Sequence, residues 1–304
     1  MIHCCIGVMA YNEEANIGRL LEALLVQKGE TASLDEIIVV ASGCTDRTEA
    51  IVREHAAREP RIKLLVQPTK EGKASAVNLL LRNTKQPVII LESADTLPVP
   101  ETIDALITPF EDHRVGMVGG KPVPTNSKST FMGYAAHLVW DLHHLIALDR
   151  PKMGELIAFR NVFQQIPYDT SVDEASIEPL IVGQGLGLRY APLAVCYNRG
   201  PEQAHEFIKR RRANFAGHLY VKDTLGYRVS TMSAFRSFWA LVRSASFDWR
   251  YFVWAPFVVL LEAYVRMLAT YDYVFWKKKP YNWAMATTTK QLSLRPPPER
   301  NPPR

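Results

Sequence analysis

Cysteine is scarce in this chain and is placed for neither disulfides nor zinc. The four cysteines are Cys4, Cys5, Cys44 and Cys196. Cys4 and Cys5 are neighbours in an apolar run and cannot pair with each other, and no spacing suits a zinc site. Reduced thiols and a cytoplasmic setting are therefore expected. No Gly-x-Gly-x-x-Gly follows the first apolar run, which argues against a dinucleotide site, and Gly72-Lys73 lacks the upstream glycines of a Walker loop. A net charge of only +5 does not argue for nucleic acid as a partner. The N-terminus enters an apolar run at once, with no basic region or cleavage site, so no secretory leader is expected.

What is present is an ordinary globular composition, 47% apolar and 22% charged over 304 residues. That length allows one large domain, or one domain with an appendage. Apolar runs at Ile2–Met9, Ile37–Val40, Ile62–Val66, Val88–Leu91 and Val115–Val118 read as buried strands. Helical patterns lie between the first four, notably Ile17, Leu20, Leu21 and Leu24. Strands alternating with helices predict a mostly parallel sheet flanked by helices, an α/β fold. In such sheets ligands bind outside the carboxyl ends of the strands. The loops at those ends hold the polar residues: Asn12-Glu13-Glu14, Ser42 to Asp46, Lys70 to Lys73, and Ser93 to Thr96. Asp95 admits two readings there, a carboxylate for a hard cation or an Asp that opens a turn before Pro98.

Four segments in order carry a resemblance: Ala10-Tyr11-Asn12-Glu13-Glu14, Ser42-Gly43-Cys44-Thr45-Asp46, Glu71-Gly72-Lys73-Ala74 and Ser93-Ala94-Asp95-Thr96. Together they resemble the family-2 glycosyltransferases with the GT-A fold, over about residues 2–220. The resemblance implies a nucleotide-sugar donor, with UDP-sugars the family habit. It places Ala10, Tyr11 and Glu13 on the base and ribose, Ser42 and Asp46 in the base pocket, and Lys73 near the diphosphate. Asp95 would hold Mg²⁺ or Mn²⁺, with Ser93 and Ala94 beside the donor. The family's metal motif is commonly Asp-x-Asp, and here Ser93 replaces the first carboxylate.

Met153 to Arg160 resembles the family strand under the transferred sugar, so Gly154 and Glu155 would line the sugar pocket. Val172-Asp173-Glu174 resembles the family's acidic pair. Register on the Asp makes Asp173 the general base, register on Ile177 makes it Glu174; the reading leans to Asp173. Lys209-Arg210-Arg211-Arg212 resembles the Arg-bearing segment of polysaccharide-making members, without its Gln and Trp, and implies that Arg211 and Arg212 neutralise the departing diphosphate. A stripe of His137, Asp141 and His144 on the helix from Phe131 is read as acceptor-side lining or a polar interface.

The run from Arg250 to Trp276 is the most apolar, yet it contains Pro256, Glu262 and Arg266. Aromatic residues flank it and Lys277-Lys278-Lys279 follows, as suits a helix on or in a membrane surface. The expected organisation is a GT-A catalytic domain at 1–225, a helical, membrane-associated segment at 226–290, and a disordered Pro-rich tail at 291–304. The implied activity is metal-dependent, inverting transfer to a glycan or lipid-linked acceptor at the cytoplasmic face of the membrane, with polysaccharide biosynthesis as its setting. A polyprenyl-phosphate sugar synthase or a non-catalytic nucleotide-sugar-binding protein are the alternatives.

Overall fold

The computed structural model describes residues 1–276 and 287–290. The expected Lys277 to Lys279 cluster and the Pro-rich tail lie outside them. The first third alternates as the apolar pattern requires: β1 (Ile2–Ala10), α1 (Ile17–Leu25), β2 (Ala32–Ser42), α2 (Thr48–Ala56), β3 (Ile62–Gln67), α3 (Lys73–Asn83) and β4 (Val88–Ser93). Then follow β5 (Leu97–Pro98), α4 (Thr102–Ile107), β6 (Val115–Pro124), α5 (Phe131–Asp149), β7 (Ile157–Arg160), α6 (Asp173–Gly183) and β8 (Gly187–Asn198). Three long helices complete the described chain: α7 (Ala204–Leu225), α8 (Ala234–Arg243) and α9 (Trp249–Trp276).

The strands form one eight-stranded sheet in the order β3-β2-β1-β4-β7-β6-β8-β5. The first four are parallel, β7 runs antiparallel to both β4 and β6, and β8 runs parallel to β6. One sheet face is covered by α1, α2 and α4, which bury Leu20, Leu24, Val52 and Leu106 among the inward side chains of β1, β2 and β4. The other is covered by α3 and α6, through Val77, Leu80, Ile177 and Ile181. Both faces are thus dry, which is why these strands read as unbroken apolar runs. The expected strand from Met153 shrinks to β7; Met153 to Leu156 is irregular chain that leaves Gly154 and Glu155 beyond the carboxyl end of β4.

The helix α9 packs along α7 by one face only. Ala255, Val258, Val265 and Ala269 are buried on it, and Glu262, on the same face, bridges two guanidiniums: Arg211 of α7 (2.6 and 3.0 Å) and Arg266 (3.0 Å). Arg212 is bound to Asp272 further along. Trp254 meets the rings of Phe131 and Tyr134 edge-on, with centroids 6.1 and 5.5 Å away. The opposite face exposes Val253, Phe257, Leu260, Tyr264, Met267, Tyr271 and Val274, at alternating spacings of four and three. The helix α9 is long and apolar enough to cross a membrane by length and composition, but its charged side is committed to α7. Replacing Glu262 by Gln leaves Arg211 and Arg266 facing each other without a carboxylate. The expected loss is about 2 kcal/mol of stability, between the limits for exposed and buried pairs, measured by urea denaturation.

Candidate active site

The carboxyl ends of β1, β2 and β4 and the loop before α3 open into a cavity of ≈ 930 Å³. Ala10, Tyr11, Glu13, Ser42, Lys73, Ser93, Ala94 and Asp95 line this side of it. The loops are locked together before any ligand arrives. Asn12 is held in the left-handed region (φ 52°), and its side-chain amide accepts from Thr45 N (2.8 Å) and donates to Thr45 Oγ1 (3.2 Å). Gly43 is also left-handed (φ 65°), and a Cβ there would lie 2.5 Å from Lys70 N. This close approach holds the Lys70 ammonium 4.0 Å above the Tyr11 ring. A flat aromatic with a cation on its face suits a nucleobase and its phosphates.

Asp46 is a correction. It does not line the cavity: one oxygen caps α2 through Thr48 N (3.0 Å) and Oγ1 (2.5 Å), and the other accepts from Glu14 N (3.1 Å). It holds two loops in register instead of meeting the base. Of its two readings, the stripe on α5 takes that of a polar interface. His137 bonds Asn126 O (2.9 Å) and His144 bonds Tyr190 Oη (2.8 Å), while the cavity meets Trp140, His143 and Ile146 on another face.

Across the cavity, the first turn of α6 presents Asp173 and Glu174. Asp173 is buried and lies 3.0 Å from Lys73 Nζ. Burial, and next the charge of Asp173, push the Glu174 carboxyl up to about 7. Glu155 accepts from Asn198 Nδ2 (2.6 Å) and is ion-paired with Arg210. Gly154 has little room for a side chain: a Cβ would sit 3.3 Å from Pro122 and 3.4 Å from the Trp140 ring.

Of the arginines expected at the diphosphate, Arg211 lines the cavity but is fixed on Glu262, and Arg212 does not line it. Their neighbours Lys209 and Arg210 do, because the helical turn of α7 points 210 inward to Glu155 and 212 towards α9. His218 also lines the cavity, and burial followed by the charges of Lys152 and Arg211 drives its pKa well below the usual value. It is neutral at pH 7.

Several cavity residues escaped the sequence reading. Lys152 is buried and donates to Met153 O (2.6 Å). Lys290 comes from the far end of the described chain: its ammonium is ion-paired with Glu13 and donates to Tyr11 O (2.9 Å). The segment is tied down by Asn16 Nδ2 donating to Lys290 O (2.8 Å), by Thr288 against Glu206, and by Glu202 N donating to Thr288 Oγ1 (3.2 Å). A contact spanning 277 positions has no local signature.

Asp95 stands half-buried on the cavity wall with no ion pair or hydrogen bond to another described residue, close enough for its charge to raise the Glu13 pKa after burial has done so. No group of three or more His, Cys, Asp or Glu side chains among the described residues is placed to hold a metal alone. That donor set does not suit zinc. It fits a hard divalent cation that draws its other ligands from phosphate oxygens and water.

The sequence profile described as Glycosyl transferase family 2 matches residues 5–172, more than half of the chain. The chain belongs to this family. As a glycosyltransferase it is an enzyme, and its sheet is the GT-A arrangement. The dolichyl-phosphate beta-glucosyltransferase ALG5C of Trichomonas vaginalis is 36% identical over 93 residues, covering 29% of this chain and 28% of that protein. An N-acetylglucosaminyltransferase of Sinorhizobium fredii is 27% identical over 128 residues, 41% of this chain and 30% of that one. The chain thus spans between 28% and 37% of the length of the curated relatives it matches. Among solved structures, the mannosyltransferase PcManGT of Pyrobaculum calidifontis, in complex with GDP-Man and Mn²⁺, superposes with a TM-score of 0.61 at 20% identity, over 90% of this chain and 88% of that one. Glucosyl-3-phosphoglycerate synthase of Mycobacterium tuberculosis, with Mn²⁺ and UDP, gives 0.52 at 18% identity, over 75% and 82%. At these identities the likeness is one of fold.

Beneath Asp95, β4 also carries Glu92, which is fully buried. One oxygen accepts from Thr96 Oγ1 (2.9 Å), the other has no partner among the described residues, and burial raises the pKa to about 8. The folded protein therefore keeps a proton here that the unfolded chain gives up from about pH 4.5. Stability from this group is full below that pH and is lost as pH rises towards 8, by about 1.4 kcal/mol per unit. Glu92→Gln should flatten that slope and be the more stable protein at pH 8, in denaturation series run across this range.

Proposed function

We propose that this family-2 glycosyltransferase moves a sugar, with inversion, from a nucleoside-diphosphate sugar to a hydroxyl of a glycan or lipid-linked acceptor. The observation that carries the reading is the pair of facing walls in one cavity: Tyr11, Lys70 and Asp95 on one, and a carboxyl tuned to about 7, Glu174, on the other. Tyr11 and Ser42 take the nucleoside, with Lys70 at the edge towards the phosphates. Asp95 would hold Mg²⁺ or Mn²⁺, which when bound neutralises charge on the leaving diphosphate. Gly154, Glu155 and Asn198 line the sugar, and Arg210 fixes Glu155. A UDP-sugar remains the family-based choice of donor.

Glu174, and not Asp173, is the general base in this reading. Asp173 is engaged by Lys73 and contributes by its charge, which helps to raise Glu174 into the working range. Glu174 accepts the acceptor's proton; the acceptor oxygen bonds the anomeric carbon from the face opposite the diphosphate; the bond from that carbon to the phosphate oxygen breaks. In this reading residues 1–225 are the catalytic domain and the helices α8 and α9 the membrane-associated segment, while Lys290 returns to the cavity. All four cysteines are free thiols, in keeping with the cytoplasmic face of a membrane.

A second reading is favoured by the match to dolichyl-phosphate glucosyltransferases. A lipid-phosphate acceptor brings an oxygen that is already anionic and needs no base. The two readings part on Glu174→Gln. With a hydroxyl acceptor kcat falls about 10² to 10⁴-fold while donor affinity stays near wild type; with a phosphate acceptor kcat is little changed. Asp173→Asn should weaken both turnover and the fold around Lys73. Asp95→Ala should abolish the tightening of nucleoside-diphosphate binding by Mn²⁺, measured by calorimetry; unchanged tightening would remove Asp95 from the metal site.

A further inference from the structure

The cavity does not end at the sugar. Beyond Trp140 it continues as a mostly apolar arm between α5, α8 with the turn before it, and α9, lined by Leu142, Met232, Phe238, Leu241, Val258 and Val259 with the hydroxyls of Thr231 and Ser237 among them. A sugar-binding pocket has no use for such walls, since hydroxyls there would lose their hydrogen bonds. Two of these residues also belong to the outer surface: Phe238 is 58% exposed and Val259 41%. The arm therefore opens on the outside of the protein, between α8 and α9.

The surface around that opening is apolar over both helices. On α8 it includes Phe235, Trp239 and Val242; at the start of α9, Phe247, Trp249 and Phe252; beyond them runs the outer stripe of α9. A patch of this extent and aromatic content is uncommon on a protein surrounded by water. The inner face of α9 is pinned to α7 through Glu262 and Asp272, so the helix is not surrounded by lipid as a lone span is. It lies against the catalytic domain with one side outward, the disposition of an interfacial helix.

From this we infer that the α8–α9 opening is a port on the hydrocarbon of a lipid leaflet, and that the acceptor is an amphiphile whose chain occupies the apolar arm while its hydroxyl headgroup reaches Glu174. This rests on the glycosyl-transfer reading and names the class of its acceptor. A water-soluble oligosaccharide would leave the arm without a role. A chain-bearing acceptor fills it and leads the headgroup from the membrane to the site.

The test uses the full chain and a series of n-alkyl β-glucosides from hexyl to decyl, each below its micelle concentration, titrated by calorimetry. Affinity should rise roughly fourfold per methylene at one site per protein. Val259→Trp, which plugs the opening from an exposed position, should cut that rise to about twofold or less. Phe257→Ser, on the outer stripe of α9 and outside the arm, should keep it. Wild-type protein should float with vesicles of equimolar phosphatidylcholine and phosphatidylglycerol, and Phe257→Ser combined with Leu260→Ser should not. No chain-length dependence in the wild type, or the same dependence in Val259→Trp, overturns the port. A wild type that fails to float and instead forms a dimer covering Phe257 assigns the face to a second copy and also overturns it. Binding of UDP and GDP with Mn²⁺ is measured in parallel. Nucleotide binding without chain-length dependence refutes the port alone; chain-length dependence without nucleotide binding refutes the donor site and leaves the port.

Discussion

Taking a carboxylate out of water costs several kcal/mol unless a cation or a proton goes with it. The architecture around this cavity answers that cost repeatedly and in two ways. Asp173 is paired with Lys73, Glu155 with Arg210, Glu13 with Lys290 and Glu262 with Arg211. Glu174 and Glu92 lack a paired cation of this kind and have raised pKa values, and Glu13, paired as it is, is also pushed up to about 7 by burial and the charge of Asp95. Asp95 has no such cation: it is half-buried and forms no ion pair or hydrogen bond to another described residue.

This constraint also places the helices. The helix α7 stands between two acidic surfaces, the cavity wall at Glu155 and the inner face of α9. Each turn of the helix sends successive arginines to different partners, so Arg210 faces the cavity, Arg211 the Glu262–Arg266 pair and Arg212 Asp272. The apolar outer face of α9 is the complement of that docking: with its charges spent on α7, its remaining surface is apolar.

The sheet was legible because strands buried on both faces cannot hide their apolar runs, and the grouping of the strand-end loops was legible because they keep their order along the chain. Tyr11, Glu13, Ser42, Lys73 and Asp95 all line one cavity. What was not legible depends on direction or distance. Asp46 reads as a site residue by position, yet its lone pairs are spent on α2. Arg212 and Arg210 differ only by the turn of a helix whose orientation is set by packing. Lys290 and Lys152 arrive through tertiary contacts alone. The order of Asp173 and Glu174 left the base ambiguous, and only the position of Lys73 separates a paired carboxylate from one whose pKa is raised.

The measurement that bears most directly on this account is the pH dependence of kcat/KM for glycosyl transfer to a hydroxyl acceptor, wild type beside Glu174→Asp. If Glu174 is the base, the wild-type rate rises with pH as its carboxyl ionises, through an apparent pKa near 7, and reaches a plateau above it, and shortening the side chain lowers the plateau and moves the midpoint. A profile flat from pH 5 to 8, or a midpoint unmoved by Glu174→Asp, would contradict the account.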